Sequence, residues 1–302
     1  MAGHEVIALF GPTAVGKTAV AIELAKRLRE RGEDPVAVSA DALQVYRGLE
    51  ILTGAASATE QNQLEHRLIS FLPVDATFSA GRYAKLAHDE IDGLLVRGRI
   101  PIVVGGTGLY LRAALADLEL RPPPAEGVRE RWTRELTLHG PEALHAQLAR
   151  VAPLTAAAIA PMDSHRIVRA LELHEAGELQ APSAQSQLWT RTTRRPTLLV
   201  GLTAQRDRLY EQINARVDAM LEAGVEEQVR RADAAGASET VRKALGFKDV
   251  LSGDIEGMKR HTRNYARRQL TWMRKLSGVT EVDVTDRSVE DVAAEIAGHW
   301  LR

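Results

Sequence analysis

The stretch Val6-Ile7-Ala8-Leu9-Phe10-Gly11-Pro12-Thr13-Ala14-Val15-Gly16-Lys17-Thr18 decides the fold. Its first residues are wholly apolar, the pattern of a parallel strand buried on both faces. The rest fits G-x-x-x-x-G-K-[ST] at every fixed position and leads into a helical stretch with Val20, Leu24 and Leu28 on one face. Strand, glycine-rich loop and helix in that order make a phosphate-binding loop. The glycines let backbone N–H groups turn toward phosphate oxygens at the positive end of the helix. Gly11, Pro12, Thr13, Ala14, Val15, Gly16 and the Lys17 cation would then surround a diphosphate or triphosphate, and the Thr18 hydroxyl would hold Mg²⁺.

Outward from this loop the pattern alternates. Gly32 ends the first helix and Pro35 to Val38 reads as a second strand. Pro101 to Val104 reads as a third buried strand, preceded by a helical stretch from Tyr83 to Val96 and followed by Gly105-Gly106. This alternation predicts an α/β fold, a P-loop NTPase-like parallel sheet core. After Leu120 the character changes. Arg121-Pro122-Pro123-Pro124 reads as a linker, the chain to about Gly177 is rich in Ala and Leu at helical spacing, and Ala181 to Arg195 is polar. An apolar strand returns at Thr197 to Leu202. Residues 121–196 are therefore read as a helical insertion, with 1–120 and 197–302 as the core. A long helix from about Arg206, a basic segment at 258–275, a strand near Val279 to Val284 and a helix to Trp300 complete it.

Composition bounds the function. The 302 residues carry a net charge of -1, so nucleic-acid binding must come from local patches. There is no cysteine, which excludes disulfides, thiolate metal sites and a cysteine nucleophile, and suits a cytoplasmic location. No apolar run approaches the roughly 18 residues of a membrane helix, and no signal peptide is expected.

The phosphate loop does not by itself name a reaction. An ordinary NTPase needs a strand ending in Asp for magnesium, whereas Ile100 to Val104 runs into Gly105-Gly106-Thr107-Gly108, and no Asn-Lys-x-Asp is present. The loop then suits a leaving group as well as a terminal phosphate. Asp41 follows Val36-Ala37-Val38-Ser39-Ala40, so it falls beyond the carboxyl end of the second strand, the edge that faces ligands in open α/β sheets. There it serves as a general base, an outer magnesium partner, or a plain cap or turn residue. Gln44 and Tyr46 either read a base edge or face solvent.

Together these segments resemble the tRNA dimethylallyltransferase family over nearly the whole chain. The resemblance is carried by Gly11 to Thr18, Ser39-Ala40-Asp41 with Gln44-Val45-Tyr46, and Gly105 to Tyr110. It continues in Met162-Asp163-Ser164-His165-Arg166 with Arg169 to Glu172, in Ala244 to Lys248, and in Tyr265 to Gln269 with Thr271 to Arg274. The resemblance implies transfer of a dimethylallyl group from dimethylallyl diphosphate to the N6 amine of an adenosine next to the anticodon of tRNA. It implies Asp41 as general base, Thr107 in the channel where base and donor meet, and Lys17 and Arg216 on the pyrophosphate, with Arg206 as an alternative clamp. It implies tRNA contacts at Asp41, Ala42, Leu43, Gln44, Thr107 and Arg129, at Met162, Asp163, Ser164, His165 and Arg166, and at Arg242, Lys243, Ala244, Leu245, Gly246 and Phe247. A monomer is expected. The sequence departs from the family pattern at Ala42, where serine is usual, and at Leu52-Thr53-Gly54-Ala55, where a Gly-Thr-Ala-Lys segment loses its lysine. It departs again at Lys243-Ala244-Leu245-Gly246-Phe247 in place of Gln-Ala-Ile-Gly-Tyr.

Met258 to Lys275 contains no acid, and Lys259, Arg263, Arg267 and Arg274 share roughly one helical face. That face is read as meeting RNA phosphates, with a solvated surface helix as the alternative. A free-nucleotide prenyltransferase would need neither this segment nor the insertion. A kinase would leave Gly105 to Tyr110 unexplained. His66, His139, His145, His165 and His174 show no metal-ligand spacing.

Overall fold

β1 (Val6–Phe10) is buried at every residue, and its paired neighbours define the sheet. The computed structural model describes residues 3–121, 123–180 and 187–301. Pro122 of the proline run and residues 181–186 of the polar stretch lie outside them. In chain order β1 is followed by α1 (Lys17–Arg29), β2 (Pro35–Ser39), α2 (Glu50–Thr53), α3 (Ala58–Gln63), β3 (His66–Arg67), α4 (Ala80–Val96), β4 (Ile100–Gly105) and α5 (Gly108–Leu115). The sheet runs β3-β2-β4-β1 and continues through β5 (Thr197–Thr203) and β6 (Thr280–Asp283), every pair parallel. This is the expected α/β architecture, with one short strand, β3, that the sequence did not announce.

The central strands β1, β4 and β5 are mostly apolar because helices cover both faces. In α1 the residues Val20, Ala21, Leu24, Ala25 and Leu28 are buried, and they join Ile7, Leu9, Val200 and Leu202 of the sheet in one core. Register then places the functional loops. Ser39 lies opposite Val104, and Phe10 opposite Gly105. The chain therefore leaves β1, β2 and β4, three adjacent strands, at one level of the sheet edge.

The chain divides into two compact units, Met1–Leu118 with Leu188–Arg302, and Glu119–Gln187. Residues 188–196, assigned to the insertion on sequence, pack within the first unit. Trp189 lies against Trp272, and Arg194 and Arg195 both bond Asp92.

The second unit contains α6 (Val128–Val151), α7 (Pro153–Ala157) and α8 (Ser164–Glu175). Gly140, at φ 79°, breaks α6 before Pro141, whose missing N–H and ring would interrupt any continuous helix. Leu144, Leu148, Ile167, Val168 and Leu171 form the core. Beside it Glu172, only 1% exposed, takes Arg129 at 2.7 Å and Arg169 at 3.1 Å. Burial pushes the Glu172 carboxyl up, but the two arginines outweigh it and hold it below the ordinary range. A depressed carboxylate stabilises the fold above its unfolded pKa, and that contribution is lost as pH falls through the folded value. Replacing Glu172 by Gln should cost the second unit about 3 kcal/mol, since a buried pair is broken while its arginines stay partly exposed. Chemical denaturation measures it, followed by fluorescence in a background where Trp189, Trp272 and Trp300 are replaced by Phe so that Trp132 reports alone. A loss under about 1 kcal/mol would deny the pair any structural weight.

The first unit is completed by α9 (Arg206–Glu222), α10 (Val225–Ala234), α11 (Glu239–Arg242), α12 (Phe247–Ser252), α13 (Ile255–Met273) and α14 (Val289–Trp300). Val45, Leu49, Leu52, Val217, Val241, Phe247 and Met258 form another core under the segment that follows β2.

Candidate active site

The turn after β2 and the turn after β4 are brought together by what they lack. A Cβ on Gly105 would collide with the backbone of Ala40, so only glycine lets the two strand ends approach this closely. The consequence is a hydrogen bond from the Thr107 hydroxyl to Asp41 Oδ2 at 3.2 Å. The other carboxylate oxygen accepts the Leu43 N–H at 2.9 Å. Asp41 is thus held at both oxygens. Tyr265 of α13 brings its hydroxyl to 3.3 Å from Thr107 Oγ1. Burial and the nearby Asp41 charge push that phenol up to about 12.

Gln269, one helical turn further on, is buried and spans two loops. Its Oε1 accepts the Thr13 N–H at 2.8 Å, and its Nε2 donates to the Gly106 carbonyl at 2.8 Å. One amide therefore ties α13 to both the phosphate loop and the turn that carries Thr107. Sequence reasoning assigned it no role. The available signal was a polar residue on the buried face Thr262, Ala266, Gln269, Met273 of an amphipathic helix.

These groups line one cavity of about 850 Å³, within the usual range for small-molecule sites. Thr13, Gly16, Lys17 and Thr18 form one part of its wall, Asp41, Gln44 and Thr107 another, and Arg216 of α9 a third. The Lys17 ammonium donates to the carbonyls of Gly11 at 3.0 Å and Pro12 at 2.8 Å. Burial, and after it the Arg216 charge, push Lys17 down from 10.5 to about 7, against a smaller upward pull from Asp41. Burial also lowers Arg216. Two cations held where their charge is disfavoured make a site that an anion relieves.

Several expected contacts are placed elsewhere. Arg206 is exposed at the start of α9, pairs with Asp207 and does not line the cavity, so Arg216 is the arginine the fold presents. Tyr46 is completely buried, which excludes both roles considered for it, because its ring fills the core beneath the loop. Gln44 lines the cavity but spends its amide on Ser39 Oγ at 2.8 Å and the Gly54 carbonyl at 3.2 Å. Phe247 has no exposed surface, so it belongs to the core and offers nothing to a partner at this position. Ala244 is nearly as buried, whereas Lys243, Ala244 and Leu245 line the cavity. Arg242 bonds Asp233 and the Ala237 carbonyl. Ala42 and Leu43 also line the cavity.

In the second unit the Asp163 side chain caps α8 by accepting the Arg166 N–H at 3.1 Å. Met162 is 67% exposed, and His165 and Arg166 are exposed beside it. Arg129 pairs with Glu172 on the same unit.

The basic face of α13 is less uniform than its sequence. Lys259 is 15% exposed and bonds Asp218 at 2.7 Å and Glu256 at 3.4 Å. Arg263 donates to Asn214 at 2.7 Å and lies over the Tyr210 ring. These two positions are engaged by α9 and by the first turn of α13, which corrects the reading of four outward cations. Arg267 and Arg274 are exposed, and so is Arg268, which lines the cavity and lies 5.5 Å over the Tyr265 ring. Among the described residues no cluster of three or more His, Asp or Glu could hold a metal, and no helix is long and apolar enough to cross a membrane.

A family model described as IPP transferase matches residues 44–276. A tRNA dimethylallyltransferase of an Exiguobacterium strain is 40% identical over 298 residues, spanning 94% of this chain and 92% of the relative. That of Bacillus subtilis is 37% identical over 292 residues, spanning 93% and 91%. The crystal structure of a full-length tRNA isopentenylpyrophosphate transferase from Bacillus halodurans matches with a TM-score of 0.69 at 34% identity, over 99% of this chain and 97% of that one. A eukaryotic dimethylallyltransferase acting on tRNA is alike in fold, with a TM-score of 0.70 at 24% identity over 93% of this chain and 74% of that one.

Proposed function

The chain belongs to the IPP transferase family, and from that premise we propose that it transfers a dimethylallyl group from dimethylallyl diphosphate to the exocyclic N6 amine of an adenosine in tRNA, releasing pyrophosphate. The observation that carries this reading is the sharing of one cavity by a phosphate loop, two half-buried cations, Lys17 and Arg216, and a carboxylate fixed at both oxygens.

The chemistry needs both halves. An exocyclic adenine amine is a weak nucleophile because its lone pair is delocalised into the ring. The allylic C–O bond must therefore loosen as the C–N bond forms, and negative charge builds on the departing diphosphate. Backbone N–H groups of the loop, Lys17 and Arg216 are the donors preorganised for that charge. As the new bond forms, the amine proton passes to the Asp41 carboxylate, which is general-base work. The Thr107 hydroxyl holds that carboxylate in place.

Thr18 lines the cavity beside Lys17, and its hydroxyl is a hard oxygen donor suited to Mg²⁺. A magnesium ion is bound by few protein ligands and by substrate phosphates, which suits a wall without an acidic cluster. When bound it would neutralise charge on the diphosphate.

The acceptor base must leave its stack to enter the cavity, so an unpaired loop such as the anticodon loop is the natural donor of that base. The exposed turn at Met162 to Arg166, and Arg267 with Arg268 at α13, are the surfaces we assign to RNA. If the two α13 arginines meet phosphates, replacing both with Gln should shallow the salt dependence of tRNA affinity by about 1.4 to 1.8 logarithmic units per decade of salt. Filter binding across a salt series reads this, and an unchanged slope would remove α13 from the interface.

The function itself is tested by incubating the protein with unmodified tRNA, Mg²⁺ and dimethylallyl diphosphate. Pyrophosphate release should equal the prenylated adenosine found by mass spectrometry of the digested tRNA. Unchanged nucleosides and no pyrophosphate released from the donor would overturn the assignment.

A further inference from the structure

Gly54 ends α2 in the left-handed conformation, at φ 60° and ψ 43°. Many glycines in the chain take a positive φ, and Gly32, Gly48 and Gly224 do so with open space where a side chain would go. Gly54 differs. A Cβ there would lie 2.8 Å from Arg216 Cζ and 3.3 Å from its Nη1, and closer still to its Nη2. The guanidinium therefore rests directly on the bare α-carbon, in space that any other residue would fill.

Both residues line the cavity that contains the phosphate loop. The seat is itself anchored, because the Gly54 carbonyl accepts Gln44 Nε2 at 3.2 Å, and the Gln44 Oε1 accepts the Ser39 hydroxyl at the end of β2. The end of α2 is thereby tied to the strand that delivers Asp41. On the other side, Arg216 comes from α9, where Ile213, Val217 and Met220 are buried and fix the helix face. Its guanidinium lies against Gly54 at the wall of the cavity it shares with Lys17.

We propose that Gly54 is a positioning residue for the donor's diphosphate: its missing side chain is the seat that holds the Arg216 guanidinium toward the phosphate loop. The inference rests on the prenyl-transfer reading for the identity of the donor, but its test uses inorganic pyrophosphate and does not depend on transfer. A methyl group at position 54 displaces the guanidinium, so affinity for the anion falls while the general base and the RNA surfaces keep their places.

The experiment compares Gly54→Ala with Gly32→Ala, which also places alanine at a positive φ but without the collision. Pyrophosphate binding is measured by calorimetry, tRNA binding by filter retention and stability by thermal melting. Gly54→Ala should weaken pyrophosphate binding by about tenfold or more, the scale of a lost charge-assisted hydrogen bond. Affinity for tRNA should stay within twofold, and the melting shift should not exceed that of Gly32→Ala. In an Arg216→Ala background the Gly54→Ala change should have no further effect on pyrophosphate, because residues that act through one another are not additive. Wild-type pyrophosphate affinity in Gly54→Ala, or an undiminished effect in the Arg216→Ala background, would overturn the seat. Should Gly54→Ala fail to fold, the double variant with Arg216→Ala removes the collision and should fold; failure of both, with Gly32→Ala intact, would also overturn it. Absence of prenylated adenosine with these binding results unchanged would count against the donor assignment alone.

Discussion

Asp41→Ala lowers turnover by about two to four orders of magnitude, the usual worth of a positioned general base. Pyrophosphate and donor affinity should hold, because the phosphate loop, Lys17 and Arg216 are untouched. Removing a negative charge near both cations also leaves them freer to meet an anion. Asp41→Asn sharpens the argument. Its amide oxygen can still accept the Leu43 N–H that now bonds Oδ1 at 2.9 Å, so the turn should survive while the proton acceptor is lost. Thr107→Ala should be milder, since that hydroxyl only steadies the carboxylate from 3.2 Å. Single-turnover transfer with saturating tRNA and donor separates chemistry from binding. If Asp41→Asn turned over at near the wild-type rate, the carboxylate would have no part in the proton transfer.

The strands of the core were legible because burial on both faces leaves apolar runs such as Val6 to Phe10, and the phosphate loop because its glycines and lysine have fixed mechanical duties. Asp41 could be placed at the ligand edge from its position after β2, and Thr107 in the channel only through the family resemblance. That they touch could not, since the contact depends on Gly105 admitting the Ala40 backbone. β3 escaped notice because two residues, His66 and Arg67, carry no period. The basic face of α13 was overread for a related reason. Asp218, which takes up Lys259, lies on α9, and no local window of sequence reveals a partner brought by tertiary packing. The end of the insertion was set at the apolar strand because Ala181 to Arg195 is polar, whereas residues from Leu188 pack within the first unit, where Asp92 of α4 holds Arg194 and Arg195. Tyr46 and Phe247 belong to the same lesson. Each sits in a motif that invites a role in recognition, yet each fills the core that holds the motif in shape.

Donor affinity should fall as pH rises above about 7, and Lys17 is the reason. Burial and Arg216 bring the unliganded ammonium down from 10.5 to about 7. A bound diphosphate favours the charged form, so the lysine pKa is higher in the complex than in the free protein. Below 7 the lysine is charged in both states and affinity is at its full value. Above 7 binding must take up a proton, and affinity drops by up to about tenfold per pH unit until the pKa of the complex is reached. A phosphate group's own second ionisation, near 6, is complete across this window, so the donor's charge does not change. The fold responds in the opposite sense. The unfolded chain binds the Lys17 proton up to about 10.5 and the folded protein only to about 7, so this group's contribution to stability rises with pH between them. Lys17→Met isolates the effect. It should cost about two to three orders of magnitude in kcat/KM, the scale of one lost donor to transition-state charge, and should flatten the pH dependence of binding above 7. Calorimetry of dimethylallyl diphosphate binding from about pH 7 to 9.5, in buffers of different ionisation enthalpy, counts the protons taken up. No proton uptake by the wild-type protein near pH 8, or a pH slope that persists in Lys17→Met, would mean that another group carries the titration.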